Sequence, residues 1–158
     1  MIWTESEEIY LRKLHCECNV LAEYNRLKYV EYNKVNKKFQ IPILILSGLN
    51  SLFALSLQPF LEQNYISLLN ATLSLTCGVL GSIQLFIKIN EKIHTYIICS
   101  HEFNKLSYKI SKEMNIEKEQ RCMNGKDYLL EVFNEFNTIC DKTELNEREI
   151  KRHLDLKL

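Results

Sequence analysis

The sequence predicts an all-α membrane protein: a two-span transmembrane helical hairpin whose long N- and C-terminal cytoplasmic helices form a bundle. Three observations predict it. Phe39 to Leu61 contains no Asp, Glu, Lys, Arg or His, and after the single interruption of Glu62 the stretch Gln63 to Ile87 is again uncharged. At the helical rise each run is roughly 34–37 Å long, enough for a ~30 Å hydrocarbon core with some tilt. The flanks are strongly charged, so they cannot supply the apolar sheath that a buried soluble hairpin would need. The expected order is a cytoplasmic N-terminal helix (1–38), a first transmembrane helix (39–61) and an extracytoplasmic turn (62–65). A second transmembrane helix (66–87) and a cytoplasmic helical region (88–158) follow.

A chain of 158 residues is one domain on the length prior. Its mean hydropathy of −0.18 averages an apolar middle with two polar ends. Twenty Lys and Arg balance twenty Asp and Glu, so nothing points to a nucleic-acid partner. The first 38 residues have no apolar core of the signal-peptide kind, and Phe39–Leu61 is expected to act as its own signal anchor. Arg26, Lys28, Lys34, Lys37 and Lys38 precede the first run, Lys88 and Lys92 follow the second, and the joint has no basic residue. The positive-inside rule then puts both termini in the cytoplasm and the joint outside or in a lumen. Of the six cysteines, Cys16, Cys18, Cys99, Cys122 and Cys140 fall in cytoplasmic segments and Cys77 in a span. Reduced thiols are expected.

Thr4 and Glu7 have the spacing of a capping box, and no Pro or Gly follows before Gln40. Tyr10, Leu14, Cys18, Leu21, Tyr24 and Leu27 recur at three or four residues, as a half-buried stripe would. Pro42 fits the first turn of a helix or a slight kink, and Pro59 lies where the first span must stop. Beyond Ile87 the helix need not end. Ile89, Ile93, Tyr96, Ser100, Phe103, Ser107, Ile110 and Met114 alternate spacings of four and three, a heptad seam over about three and a half repeats. The N-terminal helix is its expected partner, with a coiled coil between copies as the alternative. A break spans Asn115–Lys126, with a turn at Met123–Asp127 closing on an N-cap. Tyr128, Leu129, Val132, Phe133, Phe136, Ile139 and Cys140 then form one apolar helical face, and a last, mostly polar helix is expected from Thr143.

Catalytic chemistry finds no purchase, so no enzyme activity and no cofactor are expected. Cys16 and Cys18 lie on opposite sides of a helix and cannot grip one metal ion. His94, Cys99 and His101 have no nucleophile–base–orienter arrangement around them, and the four glycines form no phosphate cradle. The sequon at Asn70-Ala71-Thr72 falls within a span.

What remains is the polar content of the spans. On the first, Ser47, Ser51, Ala54 and Gln58 share a face, with Asn50 beside it. On the second, Ser67, Asn70, Ala71, Ser74, Cys77, Gly78, Gly81 and Gln84 form a stripe ending at Lys88. Small and amide side chains let membrane helices approach and tie them by hydrogen bonds. The same stripe could line a water-filled path, which takes several copies because two helices cannot enclose a pore. Either reading implies association, since Asn and Gln facing lipid are costly.

The chain resembles the SLATT family of two-span proteins, predicted membrane effectors of bacterial nucleotide-signalling conflict systems with relatives in large DNA viruses. The resemblance rests on Tyr32-Asn33-Lys34, on Lys37-Lys38-Phe39-Gln40-Ile41-Pro42 leading into Leu46-Ser47, and on Leu69-Asn70-Ala71. Gly78-Val79-Leu80-Gly81-Ser82-Ile83-Gln84, Lys88-Ile89-Asn90-Glu91-Lys92 and the block Phe133 to Ile139 complete it. It implies an oligomeric, pore-forming membrane protein with cytoplasmic termini.

Two functions are therefore expected. The first is a homo-oligomeric pore or ion channel whose partners are the bilayer, its own copies and ions. Its lining would be Ser67, Asn70, Ser74, Gly78, Gly81, Gln84 and Lys88, with Ser47, Asn50, Ser51 and Gln58 as packing or secondary lining. The cytoplasmic seam Ile89, Ile93, Tyr96, Phe103 and Ile110 would hold the helices beneath. The second is a non-conducting membrane scaffold, for example a viral membrane component, acting through its cytoplasmic helices.

Overall fold

The computed structural model describes residues 3–56, 62–121 and 123–143. The described residues hold four helices and no strand: α1 (Glu5–Ser56), α2 (Gln63–Phe86), α3 (Ile89–Met114) and α4 (Gly125–Lys142). The chain divides into two compact units, Met1–Tyr29 with His94–Leu158, and Val30–Ile93. The divisions fall inside α1 and α3. The expected helix after Thr143, Pro59 and Gln58 lie outside the described residues.

The first unit is built from the N-terminal half of α1, most of α3, and α4. Helix α1 starts where the capping box predicts. The Thr4 amide donates to Glu7 Oε2 at 2.8 Å, and the Glu7 amide donates back to Thr4 Oγ1 at 3.4 Å. Its inward stripe is Leu11, Leu14, Cys18, Leu21 and Tyr24, all buried. The expected stripe is corrected at both ends, because Tyr10 and Leu27 are exposed at 44 % and 46 %. Tyr10 and Leu11 differ by one residue, or 100° of helix, and only the aliphatic neighbour faces the core.

On α3, Tyr96, Cys99, Phe103, Leu106 and Ile110 are buried, and on α4 Tyr128, Val132 and Ile139. Phe103 packs against Phe136 with ring centroids 5.8 Å apart and planes tilted by 60°. The seam serines have partners on α1 of the same chain. Ser100 Oγ donates to the Ala22 carbonyl at 2.9 Å, and Ser107 Oγ donates to Asn19 Oδ1 at 2.7 Å. These hydroxyls satisfy themselves without water, which lets a polar pair occupy a packed layer and fixes its register.

Helix α4 begins at Gly125, two residues inside the break expected over Asn115–Lys126, and Gly125 packs closely against the start of α1. A Cβ there would collide with the Glu7 carboxylate and come within 3.2 Å of the Trp3 ring. At the other end Thr143 closes the helix, its hydroxyl donating to the Ile139 and Cys140 carbonyls at 3.2 and 2.9 Å.

The second unit holds residues 30–56 of α1, all of α2 and the first turn of α3. Pro42 sits inside α1 rather than at a helix start. Its ring removes one backbone donor, yet α1 continues through it to Ser56. Helix α2 begins at Gln63 and stops at Phe86, so the expected continuous run through Ile87 is corrected. Lys88 has φ 53°, in the left-handed region, and α3 starts afresh at Ile89. One residue so placed ends a helix as a C-terminal glycine would, at the cost of a strained backbone.

Candidate functional site

Two facing rows of side chains define the second unit. On α1, Asn36, Phe39, Ile43, Leu46, Asn50 and Phe53 are buried or half-buried, at alternating spacings of three and four. On α2 the matching row is Ile66, Asn70, Leu73, Cys77, Leu80 and Gln84. Gln84 Nε2 donates to Asn36 Oδ1 at 2.6 Å, and Asn50 Nδ2 donates to Ser74 Oγ at 3.3 Å. Cys77 Sγ lies 4.0 Å from the Ile43 carbonyl and 3.9 Å from Ser47 Oγ. The partner numbers run in opposite directions, so the two helices are antiparallel neighbours, joined by amides at intervals along an apolar seam.

This geometry divides the polar stripe expected on α2. Asn70 and Gln84 turn partly inward toward α1, whereas Ser67, Ser74 and Gly78 remain exposed and Gly81 is half-buried. Asn70 Oδ1 is buried without a hydrogen-bond partner, as is Asn50 Oδ1. Ser51 Oγ donates to the carbonyl of Ser47 at 3.1 Å on its own helix. Thr72, Thr76 and Ser82 do the same on α2, at 2.9, 2.9 and 2.8 Å, so their hydroxyls are satisfied on an otherwise apolar surface. A Cβ on Gly48, Gly78 or Gly81 would meet nothing within 4 Å. Within one chain these glycines bring no two helices together. Lys88, at the end of the stripe, is exposed and bonded to Glu91 at 3.3 Å.

The outer surface of the unit is apolar and bare. Leu44, Leu68, Leu75, Leu85 and Phe86 are 68–88 % exposed. Helix α2 is long and apolar enough to cross a membrane, with mean hydropathy 1.6 over its apolar stretch and only 6 % of that stretch buried. It is one such helix among the described residues; the end of the first apolar run, 57–61, lies outside them.

Of the cytoplasmic seam expected on α3, Ile89 is fully buried and Ile93 half-buried in the second unit, while Tyr96, Phe103 and Ile110 are buried in the first. Sequence reasoning missed Asn36, although the three-and-four spacing that carries Phe39, Ile43 and Leu46 extends back to it. It also missed a buried cation in the first unit. Arg121 is 4 % exposed, lies 4.2 Å from the Trp3 ring centroid and bonds Glu8 at 2.8 Å. Its remaining donors reach the Ile116 and Met114 carbonyls at 3.0 and 3.4 Å. The Arg121 hydrogen bond, opposed by burial and helped by Lys118, holds the Glu8 carboxyl below the usual glutamate range. No local pattern announces this cluster, because its members lie 113 residues apart.

The remaining features of the first unit are structural. Burial pushes the Cys18 thiol up to about 12 and the Cys140 thiol up to about 11, and raises Cys99, so these thiols stay protonated and weakly nucleophilic. A groove of about 750 Å³ between α3 and α4 is bridged by Lys109 with Glu131 and Glu135, and by Lys142 with Glu102. Burial opposes the charge on Lys109, but the two carboxylates outweigh it and raise its pKa.

No family model matches the chain, and no solved structure matches it. The chain is 19 % identical over 141 residues to an uncharacterised protein, VP11, of Micromonas pusilla reovirus (isolate Netherlands/2005), covering 89 % of this chain and 72 % of that protein.

Proposed function

We propose that Val30–Ile93 is a two-span membrane hairpin that assembles with copies of itself into a pore, with the exposed line of α2 as its lining. The observation that carries this reading is the outer face of α2. Leu68, Leu75 and Leu85 are bare there, beside a narrow line of Ser67, Ser74 and Gly78 with open space above the glycine. Such a surface is costly in water, stable in lipid, and shaped for close approach by another helix. A single hairpin encloses nothing, so any water path is shared among copies. The resemblance to the SLATT family supports the same reading, and so does the lysine asymmetry that puts both termini on one side.

The lining in this proposal is narrower than the sequence alone suggests. Asn70 and Gln84 belong to the hairpin seam, leaving Ser67, Gly78 and Gly81, and Ser74 with its hydroxyl shared with Asn50, with Lys88 at the mouth. Lys88 is paired with Glu91, which mutes its effect on ion choice.

A second reading, a non-conducting scaffold, is favoured by the hydrogen-bonded pairs Gln84–Asn36 and Asn50–Ser74, which account for part of the polar stripe without any water. The match to a reovirus protein suits a viral membrane component in that role. Conductance of the purified full chain in planar bilayers separates the two. In a Cys77→Ser background, Ser67→Cys or Ser74→Cys should make the current sensitive to small charged thiol reagents, whereas Leu68→Cys and Leu75→Cys should not. A silent bilayer, or equal block at all four positions, favours the scaffold.

A further inference from the structure

Charge in the second unit is gathered at one end. Between Phe39 and Phe86 the one charged residue is Glu62, while Lys34, Lys37 and Lys38 stand just before this stretch and Lys88 and Lys92 just after it. The last two are engaged. Lys88 is bonded to Glu91 at 3.3 Å, and the Lys92 ammonium sits 5.6 Å from the Tyr32 ring centroid. The first three are exposed, and no carboxylate among the described residues pairs with them. They are neighbours at three and four residues on one helix, so three like charges share about 6 Å of axis and repel one another.

Their position is as telling as their charge. Asn36 turns toward α2, where Gln84 holds it, so Lys34, Lys37 and Lys38 lie on the outer side of α1. One turn further along this side come Ile41, Leu44 and Ile45, exposed at 54 %, 71 % and 57 %. The surface thus changes from three ammonium groups to bare aliphatic side chains within about 4.5 Å of helix axis, from Lys38 to Ile41. Lysine stems can lie along such an apolar surface while their heads reach the phosphate level. A phosphate placed among the heads converts their mutual repulsion into attraction.

We propose that Lys34, Lys37 and Lys38 form a binding site for the headgroups of anionic phospholipids. The site rests on the membrane reading of this unit and adds to it a lipid preference in the leaflet that faces the chain termini. Juxtamembrane lysines near an anionic surface each strengthen attachment by about fivefold, an effect confined to roughly a Debye length.

The test uses the full-length protein reconstituted into phosphatidylcholine vesicles that also contain phosphatidylglycerol, with spin-labelled lipids of both kinds as probes. Wild type should hold labelled phosphatidylglycerol several-fold more strongly than labelled phosphatidylcholine, and high salt should erase the difference. The combined Lys34→Gln, Lys37→Gln and Lys38→Gln variant should lose the preference, and the corresponding arginine variant should keep it. Resistance to carbonate extraction is read on the same samples. An equal lipid preference in wild type and the glutamine variant, both resisting extraction, overturns the site alone. Carbonate extraction of wild type overturns the membrane reading and the site with it.

Discussion

Arg121 shows how much one side chain organises in the first unit. Its guanidinium ties Glu8 near the start of α1 to the Ile116 and Met114 carbonyls and stacks on Trp3. The Trp3 indole in turn donates to the Met123 carbonyl at 3.0 Å and packs against Tyr128, with ring centroids 5.8 Å apart and planes tilted by 44°. Arg121→Met removes a charge-assisted hydrogen bond and leaves Glu8 to Lys118 at 3.2 Å, and should cost about 1.5–3 kcal/mol in a denaturant titration. The same pair carries a pH signature. The folded-state pKa of Glu8 is lowered below the ordinary 4.5, so its stabilisation is complete at neutral pH and fades as pH falls below 4.5 through the lowered value. Unfolding followed across this acid range should show a shallower loss in Glu8→Gln than in wild type. Lys88 offers a test of opposite sign. A lysine at φ 53° pays for a conformation that glycine adopts freely, so Lys88→Gly should raise stability by about 1 kcal/mol, seen as a higher melting temperature.

The helices differ in how far the sequence announces them. The capping box at Thr4 is a short-range signal that the structure follows, whereas α4 starts at Gly125, inside the expected break, with no side-chain cap bond from Asn124. Periodicity located most of the buried face of α3 and α4. It failed at Tyr10 because several apolar residues are adjacent there and spacing alone cannot choose between neighbours. The end of α2 was illegible for a different reason. Neither Gly nor Pro marks Ile87–Lys88, and the break is set by backbone geometry that no residue preference advertises. The polar stripe was legible as a stripe, but which of its members face α1 depends on the partner helix, and therefore on tertiary packing. The α3 seam yields a direct check. Phe103 is fully buried against Phe136 of the same chain, so Phe103→Ala should cost about 3–5 kcal/mol. That loss should appear as earlier thermal unfolding, with the size of any assembly in detergent unchanged until the first unit melts. An assembly that falls apart while the helices remain folded would mean that the seam joins copies.

For the whole molecule, the sequence foretold the all-helical class, and the described residues bear that out with four helices. The membrane hairpin itself remains the central proposal. It rests on an apolar α2 with only 6 % of its apolar stretch buried, an antiparallel partner in α1, and lysines gathered at one end. The most direct measurement is the side from which its two ends can be reached. Cys16 is exposed on α1, and Glu62 is exposed at the start of α2. In sealed vesicles carrying full-length protein with Glu62→Cys, an impermeant maleimide should label position 62 from one face and Cys16 from the opposite face alone. Labelling of both from the same face, with the vesicles intact, would contradict the two-span hairpin.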